Sequence, residues 1–422
     1  MREIKRETPR IDLRGLHGWY GRARRDLPFR GTSDSYLIWV SEVMLQQTRV
    51  AAMLPKYIDF TRRFPDMAAL AAAPEEQVLA AWQGLGYYSR ARNLRKGARY
   101  VLAEHGGEFP SDLEAALKIP GVGPYTAAAV LSIALGQATA VLDGNVKRVL
   151  DRLLGLTETK RRSQKPAAGS QAPAKLVSDA EYKERADSLM RGRGRAGPGD
   201  HNQAMMELGA TVCVPGRPNC AACPLRTQCA TYAQDPTGEL AAGLPPKQTK
   251  AAPVALGLDA FLIYNRRRTK LLIAREQSSR FFRGLWFFPY RFSGEVYFEE
   301  SESPGLGELL AGDGIDAARV YAKGFRHSIT HHRITGRVIR GQSAVSEARL
   351  REIVRPAGPT AKGPAEGRTI SRSRFHKASR ESAFVDGCEW RWVPIAELHD
   401  FVVSSLARKI ETIASNESPD LF

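Results

Sequence analysis

Residues 117–130 read LKIPGVGPYTAAAV, and the fold of the first half of the chain turns on them. A helix should end near Ile119. Gly121 and Gly123 then make a turn, and Pro124 opens the next helix at a position where its missing N–H wastes no hydrogen bond. The glycines leave backbone N–H groups bare at a helix start, an arrangement that attracts anions such as phosphate. Alone, a helix–glycine turn–helix is also what any tight turn between helices looks like.

Outward from that turn, the pattern is helical from about residue 12 to 155. Apolar side chains recur at spacings of three and four, as in Tyr36, Val40, Val43, Met44 and in Leu70, Leu79, Trp82. Pro65, Pro74, Gly84, Gly86 and Pro110 punctuate it, and no strand alternation appears. This half reads as all-α. Residues 158–177, ETKRRSQKPAAGSQAPAKLV, are basic, rich in Ala, Pro and Ser, and aperiodic, which predicts a disordered insertion. A linker is expected over 233–253, ending GLPPKQTKAAP. Beyond it the texture changes. ALGLDAFLIY and KLLIARE flank the turn NRRRT as a hairpin would, and GLWFFPYRF and FRHSITHHRITGRVIRG continue as strands. An amphipathic helix within 390–413 closes an α+β half, which carries an irregular insertion of its own at 354–372.

Lys and Arg number 62 against 45 Asp and Glu, a formal charge of +17. Such an excess points to a polyanionic partner, nucleic acid above all, with mere solubility as the plainer alternative. The start MREIKRETPR leads into no apolar run, and nowhere do eighteen apolar residues follow one another, so neither a secretory signal nor a membrane span is expected. Five cysteines are too few for a disulfide scaffold in a chain of this length. Four of them, Cys213, Cys220, Cys223 and Cys229, cluster as C-x6-C-x2-C-x5-C, which favours a metal site in a reducing compartment. Ligand count alone leaves zinc open, although only Cys220 and Cys223 have the tight spacing that zinc loops usually repeat. Cys388 stands apart and reads as a small core residue.

One further stretch is unusual. LIWVSEVMLQQT, 37–48, places a single acid, Glu42, inside an apolar run. Desolvation by Val40, Val43, Met44 and Leu45 should raise its pKa and keep a proton available near neutral pH. Asp143, in VLDGNVKRVL, opens a helix, where the dipole favours a carboxylate; it reads equally as a plain N-cap.

The asymmetric cysteine loop resembles the 4Fe–4S loop of the endonuclease III superfamily of DNA glycosylases, and the glycine turn resembles that superfamily's helix-hairpin-helix clamp on the DNA backbone. SEVMLQQTRV (41–50), WQGLGYYSRARNL (82–94), PGVGPYTA (120–127), VLDGNVKRVL (141–150) and NQAMMELGA (202–210) together resemble the MutY family of adenine DNA glycosylases. The resemblance implies an all-α catalytic region over 1–232: a six-helix barrel over 36–145 holding the hairpin, and a cluster subdomain from 1–35 and 146–232. It implies a 4Fe–4S cluster on the four cysteines, and adenine excision opposite 8-oxoguanine or guanine in double-stranded DNA. A monomer is expected, cytoplasmic and nucleoid-associated if bacterial. Glu42 would protonate the leaving base, and Asp143 would stabilise the sugar cation, with Tyr125 and Asn145 completing the site. Arg30 would contact the adenine. Gln47, Thr48 and Tyr87 would face the opened duplex, core packing being the alternative for Tyr87, and Gly121 and Gly123 would bind the backbone. Bifunctional members of the superfamily carry a nucleophilic lysine two residues after the second glycine. Tyr125 stands there, and a phenol forms no imine, so a monofunctional enzyme is expected.

The same resemblance implies a Nudix-like lesion-recognition domain over 254–415. Segment 294–314 lacks the acidic run of a working Nudix hydrolase. The family's Phe-Ser-His turn aligns with Ile329, Thr330 and His331, keeping the hydroxyl and the imidazole but losing the aromatic ring. A bifunctional glycosylase/lyase and a non-catalytic DNA-binding protein are the alternative functions.

Overall fold

The computed structural model describes residues 9–157, 177–246, 252–276, 279–293, 316–343 and 388–417, with residues 303, 306, 345 and 346. The insertions expected at 158–177 and 354–372 fall outside these, apart from Val177, as does nearly all of the segment 294–314. Two compact units emerge, Met1–Thr249 and Lys250–Phe422.

The first unit is helical throughout its described residues: α1 (Arg14–Ala23), α2 (Ser35–Leu45), α3 (Val50–Arg63), α4 (Met67–Ala72), α5 (Glu75–Ala81), α6 (Ser89–His105), α7 (Leu113–Leu117), α8 (Pro124–Ile133), α9 (Gly144–Leu154), α10 (Asp179–Arg191), α11 (Pro198–Thr211), α12 (Ala230–Gln234) and α13 (Glu239–Ala242). Short polar residues start many of them. Asp34, Asp66, Asp112, Asp143 and Ser178 each accept hydrogen bonds from otherwise orphaned N–H groups of the first turn. α2 is buried almost all round, from Tyr36 through Met44. Such a helix runs through a core rather than along a surface, so every side chain on it meets protein. α8 packs against both α2 and α11, and α11 against α9. The two catalytic candidates, one inside α2 and one at the start of α9, are thus joined through α8 and α11.

α1 shares one apolar core with α9, α10 and α11, and Cys213, Cys223 and Cys229 pack on it. The stretch expected as a linker is in large part folded. α12 ends at Gln234, and Asp235 then gathers the N–H groups of Thr237 and Leu240 at 2.9 and 2.7 Å, which seats α13. Ala241 and Leu244 are buried, and Arg152 donates to the Leu244 carbonyl at 3.0 Å. The Pro- and Lys-rich composition hid these anchors, because each involves only one or two residues.

The second unit is built on a mixed sheet. β1 (Val254–Asn265) and β2 (Lys270–Arg275) form the expected hairpin, with Tyr264 opposite Leu271. β3 (Trp286–Phe287), β4 (Tyr290–Ser293), β5 (Asp316–Val320), β6 (Phe325–Ile329), β7 (His332–Ser343) and β8 (Glu389–Pro394) complete it in the path β3-β2-β1-β7-β5; β4 pairs with β1, β6 with β7 and β8 with β2. β1 and β7 run parallel over their whole length, from Val254 opposite His332 to Asn265 opposite Ser343. A closing helix, Ser405–Glu417, sinks Leu406, Ile410 and Ile413 into the core against Leu258, Leu262 and Phe325. Cys388 is buried, as a small core residue should be.

Candidate active site

Glu42 lies in the middle of α2 and is 5% exposed. Burial pushes its carboxyl up to about 7; a hydrogen bond from Tyr125 opposes this, Asp143 adds to it, and Arg30 draws it down. The Tyr125 hydroxyl, on the first turn of α8, donates to Glu42 Oε2 at 2.5 Å. Burial, with Glu42 and Asp143 behind it, holds that phenol well above its ordinary value, so Tyr125 stays a neutral donor. Asp143 caps α9, its Oδ1 accepting from the Val146 N–H at 2.7 Å while Asn145 Nδ2 donates to Oδ2 at 2.9 Å. Gly209 allows this approach of α9 to α11. A Cβ added there would stand 2.7 Å from the Asn145 Cβ and 3.1 Å from the Asn145 carbonyl oxygen.

Arg30 does not stand free. Its guanidinium pairs with Glu207 on α11, and Arg25 Nε reaches the same carboxylate at 2.7 Å. Burial alone would push Glu207 up, but hydrogen bonds from Arg25 and Arg30 outweigh it and hold it below its ordinary value. Two carboxyl groups of opposed character result on helices that both pack against α8, one whose proton is held by burial and one kept ionised by arginines.

Two loop tips carry Gln47 and Tyr87. Both are exposed and both have positive φ, 56° and 48°, a region non-glycine residues rarely enter. Thr48 is half-buried beside the first. In the glycine turn, Gly121 has φ 83°, and its missing side chain leaves room for Asn93, whose Cβ would lie 2.6 Å from an added Cβ. Gly123 stands at the N-cap of α8, with Pro124 as the first helical residue. In the second unit, Thr330 has φ 52° and forms the turn between β6 and β7 with His331; both are exposed. The Thr330 hydroxyl donates to the Ile329 carbonyl at 2.7 Å, and Phe281 sets an aromatic ring edge-on to His332 at 5.0 Å.

The HhH-GPD superfamily base excision DNA repair protein family matches residues 40–170, a span that takes in Glu42, Gln47, Tyr87, the glycine turn, Tyr125 and Asp143. The adenine DNA glycosylase of Mus musculus is 44% identical over 236 residues, which is 54% of this chain and 43% of that protein. The adenine DNA glycosylase of Homo sapiens is 45% identical over 223 residues, 51% of this chain and 38% of that one. Over about half of its length this chain is similar to adenine DNA glycosylases. It spans well under half the length of these two curated proteins. The relative in Arabidopsis thaliana is 32% identical and reaches further, over 317 residues, or 67% of this chain and 48% of its own length. A solved structure of a thermostable thymine-DNA glycosylase is 28% identical over 52% of this chain and 94% of its own, with a TM-score of 0.43.

The four clustered cysteines line one pocket, together with Arg152, Arg226 and Tyr232. Arg152 Nη1 donates to Cys213 Sγ at 3.4 Å, and Arg148 Nε to the Cys213 carbonyl at 2.8 Å. Among the described residues no three His, Cys, Asp or Glu side chains gather tightly enough to hold a single metal ion. Arg148 also donates to Asn145 Oδ1 at 2.8 Å, so hydrogen bonds run unbroken from the cysteine loop to Asp143.

Reading the sequence missed Glu207, Arg25, Arg148 and Arg90. Glu207 had the same signal as Glu42, an acid inside an apolar run, here AMMELGA at 204–210. The arginines gave none, because their roles depend on carbonyls brought from other segments.

Glu42 also carries a stability signature. Its folded pKa, about 7 against an ordinary 4.5, means the folded protein holds the proton more tightly than the unfolded chain does. The stability this contributes is complete below about 4.5 and is lost as pH rises through about 7. The loss amounts to about 3 kcal/mol. Glu42→Gln cannot ionise, so its melting temperature should match the wild type in acid and exceed it above neutrality. Equal melting temperatures at alkaline pH would mean that the carboxylate is solvated.

Proposed function

We propose that the protein is a monofunctional DNA glycosylase that hydrolyses the N-glycosidic bond of adenine mispaired with 8-oxoguanine or guanine. The observation that carries this is the pairing of Glu42, a carboxylic acid poised at about 7, with the hydrogen-bonded carboxylate of Asp143 on the neighbouring wall. Adenine leaves poorly as an anion, and Glu42 supplies the proton to its N7 as the bond to the sugar breaks. Asp143 faces the cation that develops on the sugar, and water completes the hydrolysis there. Tyr125 orients the acid, and Asn145 holds Asp143. No amine is supplied at residue 125, so the strand stays intact at the abasic sugar.

Gln47, Thr48 and Tyr87 would meet the duplex where the base has left, Gly121 and Gly123 would hold the backbone, and Arg30, set by Glu207, would line the adenine pocket. The second unit would serve as the Nudix-like reader of 8-oxoguanine, with Thr330 and His331 presented on the β6–β7 turn. Double-stranded DNA as partner agrees with the charge of +17, and a monomer would carry the whole site.

The cysteine pocket fits a 4Fe–4S cluster. All four thiols line it, and Arg152 offers a positive charge to Cys213 Sγ. When bound, the cluster would supply a rigid cross-link for the loop that carries Arg217 and Arg226. Cys223→Ser should give colourless protein with a lower melting temperature and weaker DNA binding. Undiminished visible absorbance in that variant would remove Cys223 from the ligand set.

The test of the function is a duplex holding adenine opposite 8-oxoguanine, with an A:T duplex as control. Free adenine should appear from the mispair, and the strand should break only after alkali. Breaks that come equally fast without alkali would favour the bifunctional lyase. No adenine from either duplex would leave only DNA binding.

A further inference from the structure

We propose that Arg90 is a positioning residue for base extrusion: its guanidinium ties the two exposed loop tips, Gln47 and Tyr87, into one rigid wedge. This rests on the glycosylase reading and deepens it.

Arg90 sits on the first turn of α6, immediately after the Tyr87 loop, and reaches back to the end of α2. Its Nη1 donates to the carbonyls of Val43 at 2.9 Å, Met44 at 3.2 Å and Gln46 at 2.5 Å. These belong to the last turn and C-cap of α2, whose carbonyls have no partner within the helix. Its Nη2 donates to the carbonyls of Leu85 at 3.0 Å and Gly86 at 3.1 Å, and lies 3.4 Å from the Thr48 hydroxyl. One planar fork therefore holds both residues flanking Gln47 and both residues preceding Tyr87. The guanidinium also lies over the Trp82 and Tyr87 rings, at 5.4 and 5.6 Å.

Both tips are in left-handed backbone, with φ 56° at Gln47 and 48° at Tyr87. Non-glycine residues persist there only where the surroundings over-determine the conformation. Arg90 supplies that determination for both loops at once. All six of its acceptors are neutral oxygens, and no ion pair to a carboxylate is formed among the described residues. Its geometry is thus spent wholly on the loops. Lysine would keep the charge, but an ammonium is a point donor and cannot span two loops in one plane.

The experiment uses the full chain, as wild type, Arg90→Lys and Arg90→Gln, on duplex with 2-aminopurine in place of the target adenine. Fluorescence rise reports extrusion of the base, and amide hydrogen exchange on the DNA-free protein reports the loops. Both variants should extrude about a hundredfold more slowly. Exchange should rise at 45–48 and 85–88 and stay unchanged over the rest of the helical unit. Wild-type extrusion in Arg90→Lys would show that charge alone suffices, and would overturn the proposal. Exchange raised throughout the unit, or a melting temperature that collapses in Arg90→Lys, would also overturn it, leaving Arg90 a general structural residue. If the wild type itself neither extrudes the analogue nor releases adenine, the glycosylase reading fails instead, and that is visible before any variant is made.

Discussion

Glu42→Gln should slow single-turnover release of adenine by about a thousandfold while DNA binding persists. The size follows from what the substitution removes. Glutamine keeps the shape and can still accept the Tyr125 hydrogen bond, but it has no proton of suitable acidity to give. The apolar packing of α2 stays intact, since Val40, Val43 and Met44 are untouched and buried. On the proposed function, binding would rest on cations and loop tips elsewhere on the helical unit, so a gel-shift or anisotropy titration should give nearly the wild-type affinity. Activity within tenfold of the wild type would take the acid role away from Glu42.

Asp143→Asn should cost about a hundred- to a thousandfold in the same assay. Here the two roles of one residue separate. Asparagine caps helices as well as aspartate does, and its side-chain oxygen can keep the bond from the Val146 N–H. Melting temperature should fall only modestly, because the cap persists while the amide that replaces Oδ2 gives up the bond from Asn145 Nδ2. What disappears is the negative charge that the proposed reaction sets against the sugar cation. A variant that is stable and binds DNA but does not excise would assign Asp143 to chemistry. A variant that loses stability in proportion to activity would leave it as a helix cap.

Much of this arrangement was legible in the sequence, and the reason is local. LKIPGVGPYTAAAV announces its turn because glycine and proline act on their own backbone, and Gly121 with φ 83° and Pro124 at the first position of α8 are where they were expected. Glu42 stood out because a single acid in an apolar run is costly unless used. Strand texture after residue 254 was legible because alternation is a period of two, although the parallel pairing of β1 with β7 was not, since it joins segments more than seventy residues apart. The folded part of the supposed linker escaped because Asp235 makes its turn with three hydrogen bonds and little apolar surface. Arg90 and Arg148 escaped for another reason. A basic side chain looks the same in sequence whether it meets solvent, phosphate or six protein oxygens.

The most direct test of the central claim is the pH dependence of wild-type adenine release under single-turnover conditions with enzyme below saturation. A carboxylic acid raised to about 7 and required in its protonated form predicts a rate that is level in mild acid. Above about 7 the rate should fall about tenfold per pH unit. A rate that breaks near the ordinary carboxylate value of 4.5, or one that stays level well into alkali, would contradict a buried Glu42 as the proton donor.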